Sequence, residues 1–316
     1  MRAPDFWTRD GAAARMLTPL GRLYGASVAW KARQPHPSRV AAQVICVGNL
    51  TAGGSGKTPV AIAIAAALPE KKIFFLTRGY GGREKGPRRV RPDDSAEAVG
   101  DEALLLARIA PTIAARDRRA GARMAIAQGA QIIIMDDGHQ NFSLAKDLSL
   151  LVIDGETGFG NGRIIPAGPL RESVAQGLAR ADAVVVMGSG EPCLKGFSRP
   201  VLRAHLAVQD TQLAGKRVYA FAGIGRPGKF LASLREAGAN IVGSRFFGDH
   251  HVYDALELVA LKTQALAANA LLITTEKDHA RLTPPQRADI ATLAVQAQFA
   301  DPAALTRLLD SIGPAV

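Results

Sequence analysis

Cysteine is nearly absent. Cys46 and Cys193 are the only two in 316 residues, far apart and in no metal-ligand spacing. That usage fits a reduced, cytosolic setting better than a disulfide framework. Aromatic residues are scarce too, at 5% of the chain with two tryptophans. No apolar run approaches the ~18 residues that a membrane-spanning helix needs. The start, MRAPDFWTRDGAAARM, has no apolar stretch ahead of a small-residue cleavage site, so no secretory signal is expected. Acidic side chains are in deficit, 28 against 39 basic ones, which leaves a net charge of +11.

That excess is local. Residues 1–40 hold seven basic and two acidic side chains, and residues 78–91, RGYGGREKGPRRVR, hold six and one. The partner they meet is expected to be anionic, with nucleic acid, phospholipid headgroups and a phosphorylated substrate all open from charge alone. Residues 5–33 read as an amphipathic helix. Phe6, Trp7, Leu17, Leu20, Leu23, Tyr24, Val28 and Trp30 alternate there with Arg9, Arg15, Arg22, Lys31 and Arg33. Such a helix either lies in a membrane interface or packs on the body of the protein.

What is abundant is apolar material, 47% of a chain long enough for two domains. From residue 43 onward, VICVGNL, KIFFLTRG, QIIIMDDG, LSLLVID and DAVVVMG suit buried parallel strands, with helical stretches such as PVAIAIAAAL and DEALLLARIA between them. This rhythm predicts an α/β fold with a doubly wound sheet. The pattern restarts near residue 210 as strand, helix, strand, helix and strand. The expected organisation is therefore an N-terminal helix region at 1–40, a phosphate-loop domain at 41–211 and a smaller α/β domain at 212–316.

Between the first strand and helix lies TAGGSGKT, Thr51, Ala52, Gly53, Gly54, Ser55, Gly56, Lys57 and Thr58. It departs from G-x-x-x-x-G-K-[ST] only in placing Thr51 where the first Gly is usual. Glycines free the backbone N–H groups to face phosphates at a helix N-terminus. Lys57 would then reach the β- and γ-phosphates of ATP and Thr58 would ligate Mg²⁺. A second element, QIIIMDDGHQ, ends an apolar strand in Asp136 and Asp137, where a phosphate-loop enzyme holds its magnesium. Asp101 and Glu102 open a helix, and from the residues alone ordinary capping and dipole preference is the favoured explanation. His250 and His251 follow an acid in a Gly-flanked loop, and acid/base work suits them better than a helical zinc site. Arg163, Arg171 and Ser173 sit in a proline-bearing loop as candidate anion binders. TTEKDHARL, residues 274–282, lacks the Asn and the spacing of the guanine-reading N-K-x-D.

In order along the chain, LTPLGRLYG, VGNLTAGGSGKTP, TRGYGGR, VGDEALLLAR, DDGHQNFSLAKDLSLLVID, GRIIPAGPLRE, FAGIGRPGKF, FFGDHHVY and TTEKDHARL resemble the tetraacyldisaccharide 4′-kinase family of lipid A synthesis. The family's own loop reads GNLTxGGxGKT, so Thr51 is normal there. The resemblance implies a phosphate-loop kinase with a second α/β domain, peripheral on the cytoplasmic face of the bacterial inner membrane. It implies transfer of the ATP γ-phosphate to the 4′-hydroxyl of a tetraacyldisaccharide 1-phosphate. It makes Asp101 the base, with a DHH histidine paired to it, of which His251 is the expected one. Asp136 and Asp137 match the metal and active-site acids, and Arg171 matches the LRE arginine. One departure stands out: DDGHQN has His139 and Asn141 where the family usually has an aromatic and a His, so if that His touches substrate or metal, His139 or Asn141 must substitute. The expected partners are a lipid-linked disaccharide and an anionic membrane, with neither nucleic acid nor an obligate protein partner. The rival reading is a nucleotide-switched ATPase that delivers a partner or metal.

Overall fold

The computed structural model describes residues 4–33, 37–209 and 212–313. Arg2, counted in the N-terminal basic excess, and the expected boundary at residue 211 lie outside them. Thirteen strands are seen in the described residues, eight of them before residue 210: β1 (Gln43–Gly48), β2 (Ile73–Thr77), β3 (Arg88–Arg89), β4 (Thr112–Ala114), β5 (Ile132–Asp136), β6 (Leu148–Asp154), β7 (Ala183–Met187) and β8 (Val201–Val208). The others are β9 (Arg217–Ala222), β10 (Asn240–Phe246), β11 (Leu271–Thr275), β12 (Ala291–Leu293) and β13 (Val295–Phe299).

The larger sheet has nine strands in the order β13-β8-β7-β6-β1-β5-β2-β4-β3. Its central strands are parallel, and only the edge pairs β13–β8 and β3–β4 run antiparallel. β1, β2, β5, β6 and β7 are apolar almost throughout because helices cover both faces of the sheet. On one face Ile45, Val47, Phe75, Ile134 and Val185 pack against Val60 and Ile64 of the helix Lys57–Ala66. On the other, Val44, Phe74, Leu76 and Ile133 pack against Ala122 and Ala125 of the helix Arg118–Ala127. β1 is the switch point, with β5 on one side and β6 on the other, and ligands bind such sheets beyond the carboxyl ends of those strands.

The smaller sheet, β10-β9-β11-β12, is wholly parallel. One part of the chain assigned to it by sequence goes elsewhere. β13 and the helix Pro302–Asp310 return to the nine-stranded sheet, where Ala297, Phe299, Leu305 and Leu309 join the larger core. Short apolar elements carry no mark of which sheet they complete, so their destination is a tertiary choice.

The N-terminal segment is a 3₁₀ turn, Asp5–Trp7, followed by a helix, Ala12–Arg33, that contains Pro19. One face of this helix is packed and the other exposed. Its small-residue face, Ala14, Gly21 and Gly25 with Val28, packs on the body: a Cβ on Gly21 would lie 2.6 Å from the Ile164 carbonyl oxygen. The opposite stripe, Met16, Leu20, Leu23, Tyr24 and Trp30, is exposed, with Met16 at 81% and Leu23 at 70%. Trp7 is not part of it, because its indole N–H donates to the Pro166 carbonyl at 3.1 Å.

An ionic bridge ties the two sheets together. Asp154, at the end of β6, accepts from Lys229 Nζ at 2.6 Å and pairs with Arg226 Nη1 at 2.5 Å. Burial opposes ionisation of Asp154, but these two cations outweigh it and hold the carboxyl at about 2. A carboxyl lowered on folding stabilises above its unfolded value of about 3.9, and that contribution is lost as pH falls toward the folded one. Asp154→Asn is accordingly expected to lower stability at neutral pH by about 2 kcal/mol. The gap to wild type in thermal unfolding should close as the pH is taken from about 4 to about 2. An equal gap at both ends of that range would show the bridge contributes nothing by charge.

Candidate active site

The loop after β1 is stitched before it turns. Asn49 Nδ2 donates to the Thr51 carbonyl at 2.7 Å and to Ser55 Oγ at 3.0 Å. Ala52 N–H donates to the Pro169 carbonyl at 2.7 Å, so that amide is committed to the protein and does not face phosphate as the sequence predicts. Gly53 and Gly54 are exposed, and Gly56 leads directly into the helix that starts at Lys57.

β5 delivers its acids beside that helix. Thr58 Oγ1 donates to Asp136 Oδ2 at 3.0 Å. Asp136 Oδ1 is buried with no hydrogen-bond partner. Burial, reinforced by the charge of Glu102, pushes the Asp136 pKa up. Asp137 behaves oppositely. The sequence expectation pairs it with Asp136 at the metal, but its side chain turns to two cations. Arg171 Nη1 lies 2.8 and 2.9 Å from its two oxygens and Lys57 Nζ lies 3.7 Å away. Burial opposes ionisation there, yet Lys57 and Arg171 prevail and hold it at about 2. The reason is local: Asp137 sits at φ 53°, so the chain reverses and neighbouring carboxylates diverge.

Asp101 opens the helix Asp101–Ala107 on the nine-stranded side, and its partners come from the other sheet. Arg281 reaches Oδ2 with Nε at 2.9 Å and Nη2 at 2.5 Å, and Lys277 Nζ lies 3.9 Å off. His250 Nδ1 is 3.2 Å from the same oxygen. Although Asp101 is buried, His250, Lys277 and Arg281 together hold its carboxyl below the ordinary range. An ionised carboxylate can only accept, so His250 carries its proton on Nδ1.

This corrects the expectation for His251. Its Nε2 pairs with Glu257 Oε2 at 2.8 Å, and its ring stacks on Phe247 at 4.5 Å, within its own unit. His250 takes the left-handed backbone at φ 58°, which sends the two adjacent rings to opposite sides.

The departure at DDGHQN also resolves structurally. His139 is fully buried, with Nε2 3.1 Å from the Gly177 carbonyl, and burial with nearby Lys146 and Arg180 lowers its pKa to about 3. Asn141 closes a turn onto Ser143. Neither reaches the acids. Gln140, between them, reaches the arginine that holds Asp137, accepting from Arg171 at 3.4 Å and donating to buried Glu172 at 2.9 Å. Sequence reasoning missed Gln140, Glu172, Lys277 and Arg281. Only the charged run TTEKDHARL after a strand signals the last two.

Arg163 turns away to the N-terminal segment, meeting Asp10 at 2.9 Å, and Ser173 caps a helix by accepting from Gln176 N–H at 3.3 Å. Of the basic stretch 78–91, Arg83 pairs with Glu97, Arg88 with Glu84 and Asp94, and Arg89 with Gln128.

Lysine, hydroxyl and carboxylate oxygens thus gather at the switch point, facing a polarised carboxylate–imidazole pair across a sheet-to-sheet junction. Phosphoryl transfer asks for this kind of positioning and charge, and the class is a phosphate-loop kinase.

Comparison with known proteins narrows the class. The family profile described as tetraacyldisaccharide-1-P 4′-kinase matches residues 13–313. A tetraacyldisaccharide 4′-kinase from Paramagnetospirillum magneticum is 52% identical over 99% of each chain, and one from Rhodospirillum rubrum is 47% identical over 99% of this chain and 98% of the other. A crystal structure of LpxK from Aquifex aeolicus in complex with ATP superposes with a TM-score of 0.78, at 26% identity over 95% of this chain and 99% of that one. The chain belongs to the tetraacyldisaccharide 4′-kinase family.

Proposed function

We propose that this kinase transfers the γ-phosphoryl group of ATP to the 4′-hydroxyl of a tetraacyldisaccharide 1-phosphate, a step of lipid A biosynthesis, while seated on the cytoplasmic face of an inner membrane. The observation that carries the reaction is the junction itself, where Asp101 meets His250 of the other unit and the adjoining Glu102 acts by its charge on both Asp136 and Arg171. Membership of the family supports the acceptor, and the ATP held by the Aquifex relative supports the donor.

Magnesium fits the residues present. Thr58 and Asp136 offer hard oxygen donors, and Asp136 Oδ1 is a buried acceptor with nothing donating to it. When bound, Mg²⁺ would supply positive charge to the phosphate oxygens. The protein's own part is to place charge and a proton acceptor. Lys57 faces the β- and γ-phosphates from the helix start, and Arg171 holds Asp137 so that Lys57 stays in line. The acceptor hydroxyl donates its proton to the Asp101–His250 pair as its oxygen attacks. A loose transition state needs orientation here more than strong basicity, which suits a carboxylate held ionised by the His250 hydrogen bond and the charges of Lys277 and Arg281.

The exposed stripe Met16, Leu20, Leu23, Tyr24 and Trp30 supports the membrane seat, in a helix bearing Arg22, Lys31 and Arg33. Among the described residues no helix is long and apolar enough to cross a membrane. One experiment tests reaction and seat together: transfer of labelled γ-phosphate to the acceptor presented either in detergent micelles or in phosphatidylglycerol vesicles. Wild type should act on both. Leu23→Ser/Trp30→Ser should keep its micelle activity and lose at least about tenfold on vesicles, since each buried side chain contributes about 1.5–3 kcal/mol. Acceptor-independent ATP hydrolysis by folded wild type would favour the delivery-protein rival, and equal vesicle activity would return the helix to a packing role.

A further inference from the structure

The cations around the junction are nearly all matched to carboxylates. Lys57 and Arg171 share Asp137, Lys277 faces Glu102 at 3.1 Å, and Arg281 joins Asp101 to Asp278. Arg118 is buried, with Nη1 on the Ala115 carbonyl. Arg78 is different. Its side chain is exposed, and among the described residues no carboxylate or hydrogen-bond partner meets it.

Its position is held from two directions. Arg78 immediately follows β2, which pairs with β5 in parallel up to Leu76 and Met135, so it leaves the sheet beside the Asp136–Asp137 end. Next to it, the turn Gly79–Gly82 packs backbone to backbone on Val99 and Gly100, the residues just before Asp101. A Cβ on Gly79, at φ 68°, would lie 2.9 Å from the Val99 carbonyl oxygen, and one on Gly100 would overlap the Tyr80 carbonyl oxygen. Tyr80 meets the His250 ring at 5.5 Å between centroids. Arg118, which feels the charges of Asp136 and Asp137, feels that of Arg78 as well. The backbone thus carries an arginine with a free guanidinium out of the sheet between the acids at the end of β5 and the segment leading into Asp101.

We propose that Arg78 contacts the transferring γ-phosphoryl group and neutralises the charge on its equatorial oxygens. The acceptor oxygen forms the new P–O bond as its proton passes to the Asp101–His250 pair. The bond from Pγ to the β–γ bridging oxygen breaks, and its electron pair leaves with ADP. Arg78 neither gains nor loses a proton; its N–H groups follow the equatorial oxygens through the in-line displacement.

The inference rests on the kinase reading, and the test separates the two. Full-length wild type, Arg78→Ala and Arg78→Lys are assayed on the tetraacyldisaccharide with and without its 1-phosphate, and binding of an ATP analogue is measured by calorimetry. If wild type does not transfer phosphate, the kinase reading fails. If it does, Arg78→Ala should lower kcat by about 100- to 1,000-fold, the scale of one transition-state electrostatic group. The loss should be equal on both acceptors, with KM and analogue affinity within about threefold, because the contact strengthens only in the transition state. Arg78→Lys should recover part of kcat by restoring the charge without the fork. Wild-type kcat in Arg78→Ala overturns the inference. So does a loss confined to acceptor KM that vanishes without the 1-phosphate, which would make Arg78 an anchor for that group. Should Arg78→Ala not fold, Arg78→Gln decides on the same readouts.

Discussion

Lys57→Ala is expected to lower kcat by at least about 100-fold while leaving the protein folded. The side chain is largely buried, but among the described residues its ion pair is with Asp137 at 3.7 Å, and Arg171 continues to hold both Asp137 oxygens when the ammonium is gone. Truncation therefore strands no buried charge. What is removed is the cation at the start of the helix Lys57–Ala66, beside the Gly-rich turn that is to hold the phosphates. Single-turnover phosphoryl transfer at saturating ATP isolates this loss from weaker binding. A thermal unfolding midpoint near that of wild type, measured on the same preparation, excludes misfolding as the cause. Undiminished single-turnover transfer would remove Lys57 from the reaction.

Asp101→Asn should be at least as damaging, for a different reason. It keeps the shape of the side chain but withdraws the charge that His250, Lys277 and Arg281 converge on. Removing one partner of a buried ionic group leaves the others uncompensated, at a cost of about 3–5 kcal/mol. Stability and turnover should therefore both fall, with kcat on the folded fraction down by at least about 100-fold. Residual stability alone cannot identify a reacting pair, so the informative comparison is with the histidines. His250→Ala should lose kcat steeply, and Asp101→Asn/His250→Ala should be little worse than the poorer single variant, as for groups that act as a unit. His251→Ala removes a ring that stacks on Phe247 and binds Glu257, and it should cost stability before turnover. Equal losses of kcat in the two histidine variants would reject the pairing drawn from the geometry.

Much of the architecture was legible because burial leaves a plain trace in composition. Strands covered on both faces must be apolar at nearly every position, and β1, β2, β5, β6 and β7 were each visible as short apolar runs. β4, at Thr112–Ala114, and β12, at Ala291–Leu293, were not, since three residues hold no period. The phosphate loop was legible for a related reason: backbone conformation and a terminal lysine leave few residue choices. The Ala52 amide was misjudged because its partner, Pro169, lies more than a hundred residues away and has no pairing signature.

The amino-acid sequence by itself determined what is local or periodic. That comprises the doubly wound sheet, the strand–loop–helix carrying Lys57 and Thr58, the acids ending β5 and the amphipathic N-terminal helix. It also specified the order of motifs that marks the family. Only the tertiary structure decided which of two adjacent histidines meets Asp101, that Asp137 belongs to Lys57 and Arg171, that β13 completes the larger sheet, and that Arg78 is left exposed without a carboxylate or hydrogen-bond partner in the described residues. These are questions of direction and distance between segments far apart in the chain. Side-chain direction follows from backbone angles such as φ 58° at His250, and pairing follows from packing, neither of which a residue's identity records.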